Sequence, residues 1–403
     1  MQKLLNVEYA WLHGTHWMYY GVLVSFASVF LLGNGYSNSA IGVILAVANI
    51  LAVIVQPLVA DEADKSTVSH SIRITQIMTL VIAVGTSALL LFHGKTLLLS
   101  LLFVMLVGFF TSIQPLINSL AFSLENSKYH INFGLSRSLG SIAYSLICAL
   151  VGKMGDAMGI ETIPVTGTIA LVLLFIGLAV INKHYLKACK QNGVNVNKLL
   201  EHNEQADEER ISLKDFAKRN VPFLVMITGV AFLFYGNAVL NNFMIQIVEA
   251  VDGNEADMGG ILGVMAALEV PTMVFFDRIN KRFSCKTLLK ISAIGFTLKI
   301  FLCYIAKSVF MLYAAQTIQL FAFALLLPAI VRFIDDSMER GEAVKGQAMF
   351  TSSTTVGAVI ASFTGGWIMD ISSPSMLLLV STILSVLGTI IIFGVIDRIK
   401  KKG

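Results

Sequence analysis

Charge is scarce in this chain of 403 residues. Asp, Glu, Lys and Arg make up 13% of it, against roughly 25% in soluble domains. Hydrophobic residues make up 56%, and the mean hydropathy is +0.77. So little polar surface cannot cover the molecule in water, which excludes a conventional cytosolic or secreted enzyme and makes lipid the solvent for most of the chain. Cysteine is sparse as well. Cys148, Cys189, Cys285 and Cys303 are far apart, with no C-x-x-C pair and few histidines nearby, so neither a zinc site nor a disulfide framework is expected. No basic n-region or small-residue cleavage site accompanies the first apolar stretch near Trp11, which therefore reads as a retained helix. An embedded nucleophile–base pair or metal constellation is missing too, which argues against a membrane enzyme, a catalytic residue or a cofactor.

Apolar stretches are abundant. Twelve of them, each of about 20 residues, occupy approximately 10–32, 39–60, 71–93, 97–123, 134–154, 165–184, 219–246, 258–276, 287–306, 309–333, 346–367 and 374–396. The expected fold class is an all-α membrane protein of twelve transmembrane helices, with membrane lipids as its surroundings. Alternate connections hold all but four of the 29 Lys and Arg residues; the exceptions are Lys95, Lys153, Lys299 and Lys307. That asymmetry predicts a multi-pass protein of the inner or plasma membrane with both termini cytoplasmic. The net charge of +4 thus suits an anionic inner leaflet, and without a continuous basic-aromatic groove no nucleic-acid partner is expected.

The longest polar connector, 185–218, carries Asn192, Asn195, Asn197 and the acidic run Glu204 to Glu209. It divides the spans six and six, predicting an N-terminal bundle over 1–184, a cytoplasmic linker and a C-terminal bundle over 219–403. The ISLKDF segment at Ile211 reads as a short amphipathic lead into span seven. A weak repeat supports the seam: Gly140 and Gly357 occupy comparable places in spans five and eleven. Two related halves are the arrangement of alternating-access transporters.

Polar groups inside the spans carry the functional reading. Glu269 stands in LGVMAALEVPTMVFF, where an ionised carboxylate needs a cation, a hydrogen-bonding solute or water. It serves transport or a structural helix contact. Lys299, in ISAIGFTLKIFLCY, is the matching cation, either coupled to Glu269, part of a structural pair, or snorkelling. Asn118 and Ser119 follow Gln114-Pro115 in span four and offer solute hydrogen bonds or helix-packing contacts. Arg137 has a fork suited to hydroxyls or a carboxylate, with Tyr144 seven residues on to cover an apolar ring face; the alternative is an interfacial Arg and a lipid-facing Tyr. Gln316 and Gln319 share a face of span ten, while Asn237, Asn241 and Asn242 line span seven near Tyr235; each is a cavity-lining or packing group. His13 and His16 near the start of span one read as interfacial or gating.

With these residues in view, the chain resembles the major facilitator superfamily, and more narrowly the oligosaccharide:proton symporters. QPLVADEADK at 56–65, FGLSRSLGSIAY at 133–144, the Glu269 span and the Lys299-to-Gln319 spacing carry the resemblance. It implies two pseudo-symmetric six-helix bundles, a functional monomer, and an inward gate held by Asp64 and Lys65. It also implies sugar binding by Arg137 and Glu269 under a stacking Tyr144, with Ser119 where the family often has a glutamate. Lys299 aligns with a cavity arginine, whereas Gln319 and Ala322 replace the family's histidine and main coupling carboxylate, so a copied relay is missing.

The combined expectation is a secondary transporter taking up a small neutral sugar, such as a disaccharide, with a proton. Substrate contacts fall to Asn118, Ser119, Arg137, Tyr144, Glu269 and Gln319, and coupling to Glu269 and Lys299. The alternative is a carrier of nucleosides, aromatic acids or amphipathic drugs, or an uncoupled sugar facilitator. Tyr20, Tyr235, Phe323 and Tyr144 would then accommodate the aromatic body.

Overall fold

The computed structural model describes residues 1–64, 66–194, 213–338 and 340–399. Twelve helices are long and apolar enough to cross a membrane, and no strand occurs among the described residues. In chain order they are α1 (Gln2–Gly33), α2 (Asn38–Ala63), α3 (Val68–Leu91), α4 (Leu97–Glu125), α5 (Phe133–Met158), α6 (Thr162–Gln191), α7 (Val221–Asn242), α8 (Glu255–Asn280), α9 (Cys285–Tyr304), α10 (Val309–Ser337), α11 (Glu342–Ile371) and α12 (Pro374–Arg398). Short polar side chains start many of them by accepting a backbone N–H of the first turn: Thr67, Thr96, Asn132, Asn254, Ser284, Ser308 and Ser373. Each cap satisfies a backbone donor that has no partner within its own helix.

Three expected spans change shape. Helix α1 starts eight residues before the apolar run does, because Leu5 and Tyr9 are fully buried and Glu8 is paired with His184 of α6. The seventh span stops at Asn242, and Met244–Glu249 forms a separate short helix. Span ten is interrupted at Thr317–Leu320. The amphipathic lead appears as the helix Leu213–Arg219, anchored by the buried Phe216.

The chain forms two compact units, Met1–Tyr36 with Val47–Ala206, and Ser37–Ala46 with Asp207–Gly403. Of the connector 185–218, residues 195–212 lie outside the described residues. The start of α2 joins the second unit for a definable reason. Asp370 of α11 accepts from the Asn38 backbone N–H (3.1 Å) and side-chain amide (3.0 Å), and from the Ser39 N–H (2.8 Å) and hydroxyl. Gly42 and Gly366 lie against opposing backbone there, and a Cβ on either would fall 2.2 Å from a carbonyl oxygen.

The packing inside each unit repeats. In the first, α1 packs on α5 and α6, and α3 packs on α4 and α6; in the second, α7 packs on α11 and α12, and α9 on α10 and α12. The same four contacts recur six helices later. Helices α1 and α7 are correspondingly the inner ones, with 67% of the apolar window buried against 28% for α2. Gly140 of α5 faces Trp17 and the His13 carbonyl of α1, while Gly357 of α11 faces the Ala231 carbonyl and Tyr235 N of α7. Equivalent glycines therefore let equivalent helices touch, as van der Waals packing in lipid requires.

A Gly357→Leu variant is expected to lower the melting temperature in detergent, since its Cβ would lie 2.3 Å from the Ala231 carbonyl; overpacking of this kind costs about 1–3 kcal/mol. Gly394→Leu, with open space around the glycine, should leave it unchanged. Equal melting temperatures for the two variants would refute the close-packing account.

Candidate functional site

The polar centre of the second unit is built on a broken helix. Within α10, the α-helix Val309–Gln316 passes into a tight turn at Thr317–Leu320 before helix resumes at Phe323. Neighbouring hydroxyls serve the backbone carbonyls at the break. Thr272 of α8 donates to the Leu320 oxygen (3.0 Å), and Ser292 of α9 donates to the Ala322 oxygen (2.8 Å). Such side-chain partners are what permits irregular backbone at membrane depth. Gly295 makes room, since a Cβ there would lie 3.0 Å from the Phe321 and Ala322 backbone.

The break brings Gln319 between two charges. Lys299 Nζ of α9 donates to Gln319 Oε1 at 2.7 Å, and Gln319 Nε2 donates to Glu269 Oε1 of α8 at 2.9 Å. An ammonium only donates and a carboxylate only accepts, so the chemistry of the ends dictates the amide's orientation. Both bonds are charge-assisted, and each polarises the other. All three residues are buried: Lys299 0% exposed, Gln319 2%, Glu269 7%. Gln316, also buried, donates to the Leu312 carbonyl (3.4 Å) and to Cys303 Sγ (3.7 Å), and stands outside this chain of bonds.

The first unit carries an aromatic cluster with one cation. Helix α1 contains a π-turn at Tyr20–Val24, closed by the Ser25 N–H to Tyr20 carbonyl bond. One extra residue in the turn re-aims the side chains that follow. Ser25 then meets the Tyr144 hydroxyl of α5 at 2.8 Å. Trp17, Tyr20 and Tyr144 lie with ring centroids 5.1–6.5 Å apart, and the Arg137 guanidinium sits 4.1 Å over the Trp17 ring while donating to Ser141 Oγ at 2.9 Å. On the same helix, His13 shares a 2.9 Å hydrogen bond with Tyr9, and His16 stacks on Phe110.

The expected residues are thus distributed unevenly. Glu269, Gln319 and Lys299 form one connected chain. Arg137 and Tyr144 meet through Trp17, and the Tyr144 ring is packed into the cluster at 7% exposure. Asn118 is half-buried on α4, where its backbone carbonyl accepts from Tyr9 at 3.4 Å. Ser119 is exposed, and its hydroxyl donates to the Leu116 carbonyl of its own helix. The expected gate lies outside the described residues, both Lys65 and the side chain of Asp64.

A family model described as MFS_1 like family matches residues 9–380, all but the ends of the chain. The chain belongs to the MFS_1 like family. It is a transporter of the major facilitator superfamily, a class of carriers that perform no catalysis. Solved structures of the nucleoside transporter NupG share its fold, with TM-scores of 0.78 and 0.73 at 15% identity; they cover 97% and 99% of this chain and 99% and 100% of their own. An Escherichia coli (strain K12) protein described as "Probable 3-phenylpropionic acid transporter" is 25% identical over 167 residues, 41% of this chain and 43% of that relative. A Deinococcus radiodurans protein described as "Putative sugar efflux transporter" is 23% identical over 139 residues, 34% of this chain and 36% of that relative. The match to each curated relative therefore spans under half its length.

In this MFS_1 like carrier, sequence reasoning passed over Trp17 and Ser25. Trp17 could have been found from its register, four residues after His13 and three before Tyr20 on one face of α1. Ser25 carried no signal, because its place depends on the π-turn.

Gln319→Leu is expected to lower the melting temperature by the equivalent of about 1–3 kcal/mol, since it strips the hydrogen-bonding amide from two buried charges. Gln316→Leu should cost less. Replacing Glu269, Lys299 and Gln319 together with apolar residues of similar volume should restore stability. A Gln319→Leu protein as stable as wild type would show that the amide bridge contributes nothing.

Proposed function

We propose that this carrier moves a small ring-bearing solute, an aromatic acid or a nucleoside, by alternating access with a proton as the coupling ion. The observation that carries the reading is the buried Lys299–Gln319–Glu269 chain. A membrane-embedded carboxylate and ammonium joined by an amide are costly to keep and suited to exchanging a proton or meeting a polar solute. Glu269 is the proton-accepting group, and Lys299 sets its balance through Gln319.

The aromatic body is supported by the first unit. Trp17 and Tyr20 offer ring faces, Tyr144 holds them in place through Ser25, and Arg137 supplies a planar cation for a carboxylate or paired hydroxyls. Asn118 adds a hydrogen-bonding amide. The names of the Escherichia coli relative and of the nucleoside transporter point the same way. A small neutral sugar is the second reading, favoured by the name of the Deinococcus relative and by the resemblance to sugar symporters, which implies that Arg137 and Glu269 each hydrogen-bond sugar hydroxyls. The buried ring of Tyr144 and the locally bonded Ser119 leave this reading fewer contacts.

The halves 1–184 and 219–403 act as the moving bundles of a functional monomer. Both termini face the cytoplasm, following the Lys and Arg distribution, and Asp64 and Lys65 belong to the inward gate.

In proteoliposomes, counterflow of radiolabelled aromatic acids, nucleosides and disaccharides is expected to be fastest for a ring-bearing class. An acidic outside should drive its accumulation, and Glu269→Gln should abolish that accumulation while exchange persists. Arg137→Gln should weaken the solute's apparent affinity by about tenfold, one lost charge-assisted contact. Preferential disaccharide counterflow would overturn the substrate class, and pH-driven accumulation by Glu269→Gln would overturn the coupling role.

A further inference from the structure

The C-terminal end of α6 carries a basic face that solute transport does not call for. Lys183, Lys187 and Lys190 follow one another at steps of four and three residues, which keeps them on one side of the helix. All three are exposed, and among the described residues none of them forms a hydrogen bond or an ion pair. They surround a cavity of about 460 Å³ whose lining is completed by Ala179, Asn182 and Leu186. Ala179 contributes a single methyl group, which leaves a hollow between the longer side chains. The Asn182 amide oxygen has no hydrogen-bond partner among the described residues.

Carboxylates near this end of α6 have partners of their own. Glu8 of α1 is paired with His184, one residue round the helix from Lys183. Glu125, in the segment that Asn192 meets through the Ser127 carbonyl, is bonded to His130 and to the Ile131 N–H. The same segment brings a further cation, Lys128, which donates to the Asn192 carbonyl.

Below the lysines the same face is apolar and open. Val165, Ile169, Val172, Ile176 and Val180 are 38–55% exposed and lead to Lys183 by steps of three or four residues. Helix α6 has 30 residues and is therefore about 45 Å long, against about 30 Å for a hydrocarbon core. Lys183 stands about 31 Å from its start, so the lysines fall in the headgroup layer. Trp11 of α1 borders the apolar stripe. Its indole N–H donates to the Leu173 carbonyl at 3.1 Å, its ring lies against Gly177, and it is 49% exposed.

We propose that this face of α6 is a binding site for an anionic phospholipid. The phosphodiester sits in the cavity among Lys183, Lys187 and Lys190, and the acyl chains run along the stripe from Val180 to Val165 past Trp11. Charge complementarity selects the headgroup, and the unbroken apolar run beneath it selects a lipid over a soluble phosphate. Asn182 gives the cavity an acceptor for a headgroup hydroxyl, as phosphatidylglycerol carries. Several ammonium groups at a membrane surface should favour such a headgroup over a zwitterionic one by about tenfold or more.

The chain has three tryptophans, so Trp17→Phe with Trp367→Phe leaves Trp11 as the reporter. In proteoliposomes, phosphatidylglycerol brominated in its chains should quench Trp11 with a relative association constant about tenfold above that of brominated phosphatidylcholine. Lys183→Gln, Lys187→Gln and Lys190→Gln together should bring the ratio to about one. Lys218→Gln, Lys281→Gln and Arg282→Gln, which remove as many charges elsewhere in the chain, should leave it unchanged, and inorganic phosphate should not displace the lipid. Native mass spectrometry of the wild-type chain from a mixture of the two lipids should show the same preference with every tryptophan in place. Equal binding of the two lipids, a preference that survives the three α6 substitutions, or displacement by inorganic phosphate would overturn the site. So would a preference that appears only after Glu204→Gln, Asp207→Asn, Glu208→Gln and Glu209→Gln, because the chain's own acidic connector would then be the occupant of the lysines.

Discussion

Two opposite charges held inside membrane-spanning helices set the terms for the second unit. Each would be expensive to bury alone, by about 3 kcal/mol or more at the bilayer centre. Lys299 and Glu269 avoid that cost through one amide that accepts from the first and donates to the second. For Gln319 to reach both, α10 has to break, and the break is sustainable because Thr272, Ser292 and Gly295 accommodate its backbone. Helix irregularity, hydroxyl placement and a missing Cβ thus all serve one electrostatic requirement.

Glycine plays the complementary part throughout the fold. Helices gain little from apolar contact with one another when lipid tails are equally apolar, so close backbone approach and dispersion carry their association. Gly140 against α1 and Gly357 against α7 occupy matching places in the two units, and the pattern of helix contacts matches as well. Gly42 and Gly366 do a different job: they let the first turn of α2 lie close enough to α11 for Asp370 to gather four donors from Asn38 and Ser39. That cap on α2, which the sequence did not suggest, assigns Ser37–Ala46 to the second unit.

The two polar clusters differ in chemical character. The second unit holds a linear chain of ionic hydrogen bonds; the first holds stacked rings with a single guanidinium over Trp17. An aromatic face with a cation beside it suits a planar body, and a buried carboxylate suits a mobile proton.

Hydropathy and composition alone determined the membrane class and the number of spans. These depend on runs of about 20 apolar residues, a local property that survives any packing arrangement. The cost of a buried charge is also local, so Glu269 and Lys299 stood out in the sequence, as did Gln319 beside them. Only the tertiary structure decided that the three are bonded in series, because that depends on a helix break at Thr317–Leu320 for which no glycine or proline lies in that stretch. It likewise decided that Tyr144 is packed against Trp17 and Tyr20, because a π-turn re-aims α1 and hydrophobic periodicity carries no trace of one inserted residue. Span number follows from each segment's own transfer into lipid, whereas site geometry follows from which side chains neighbouring helices bring to one another.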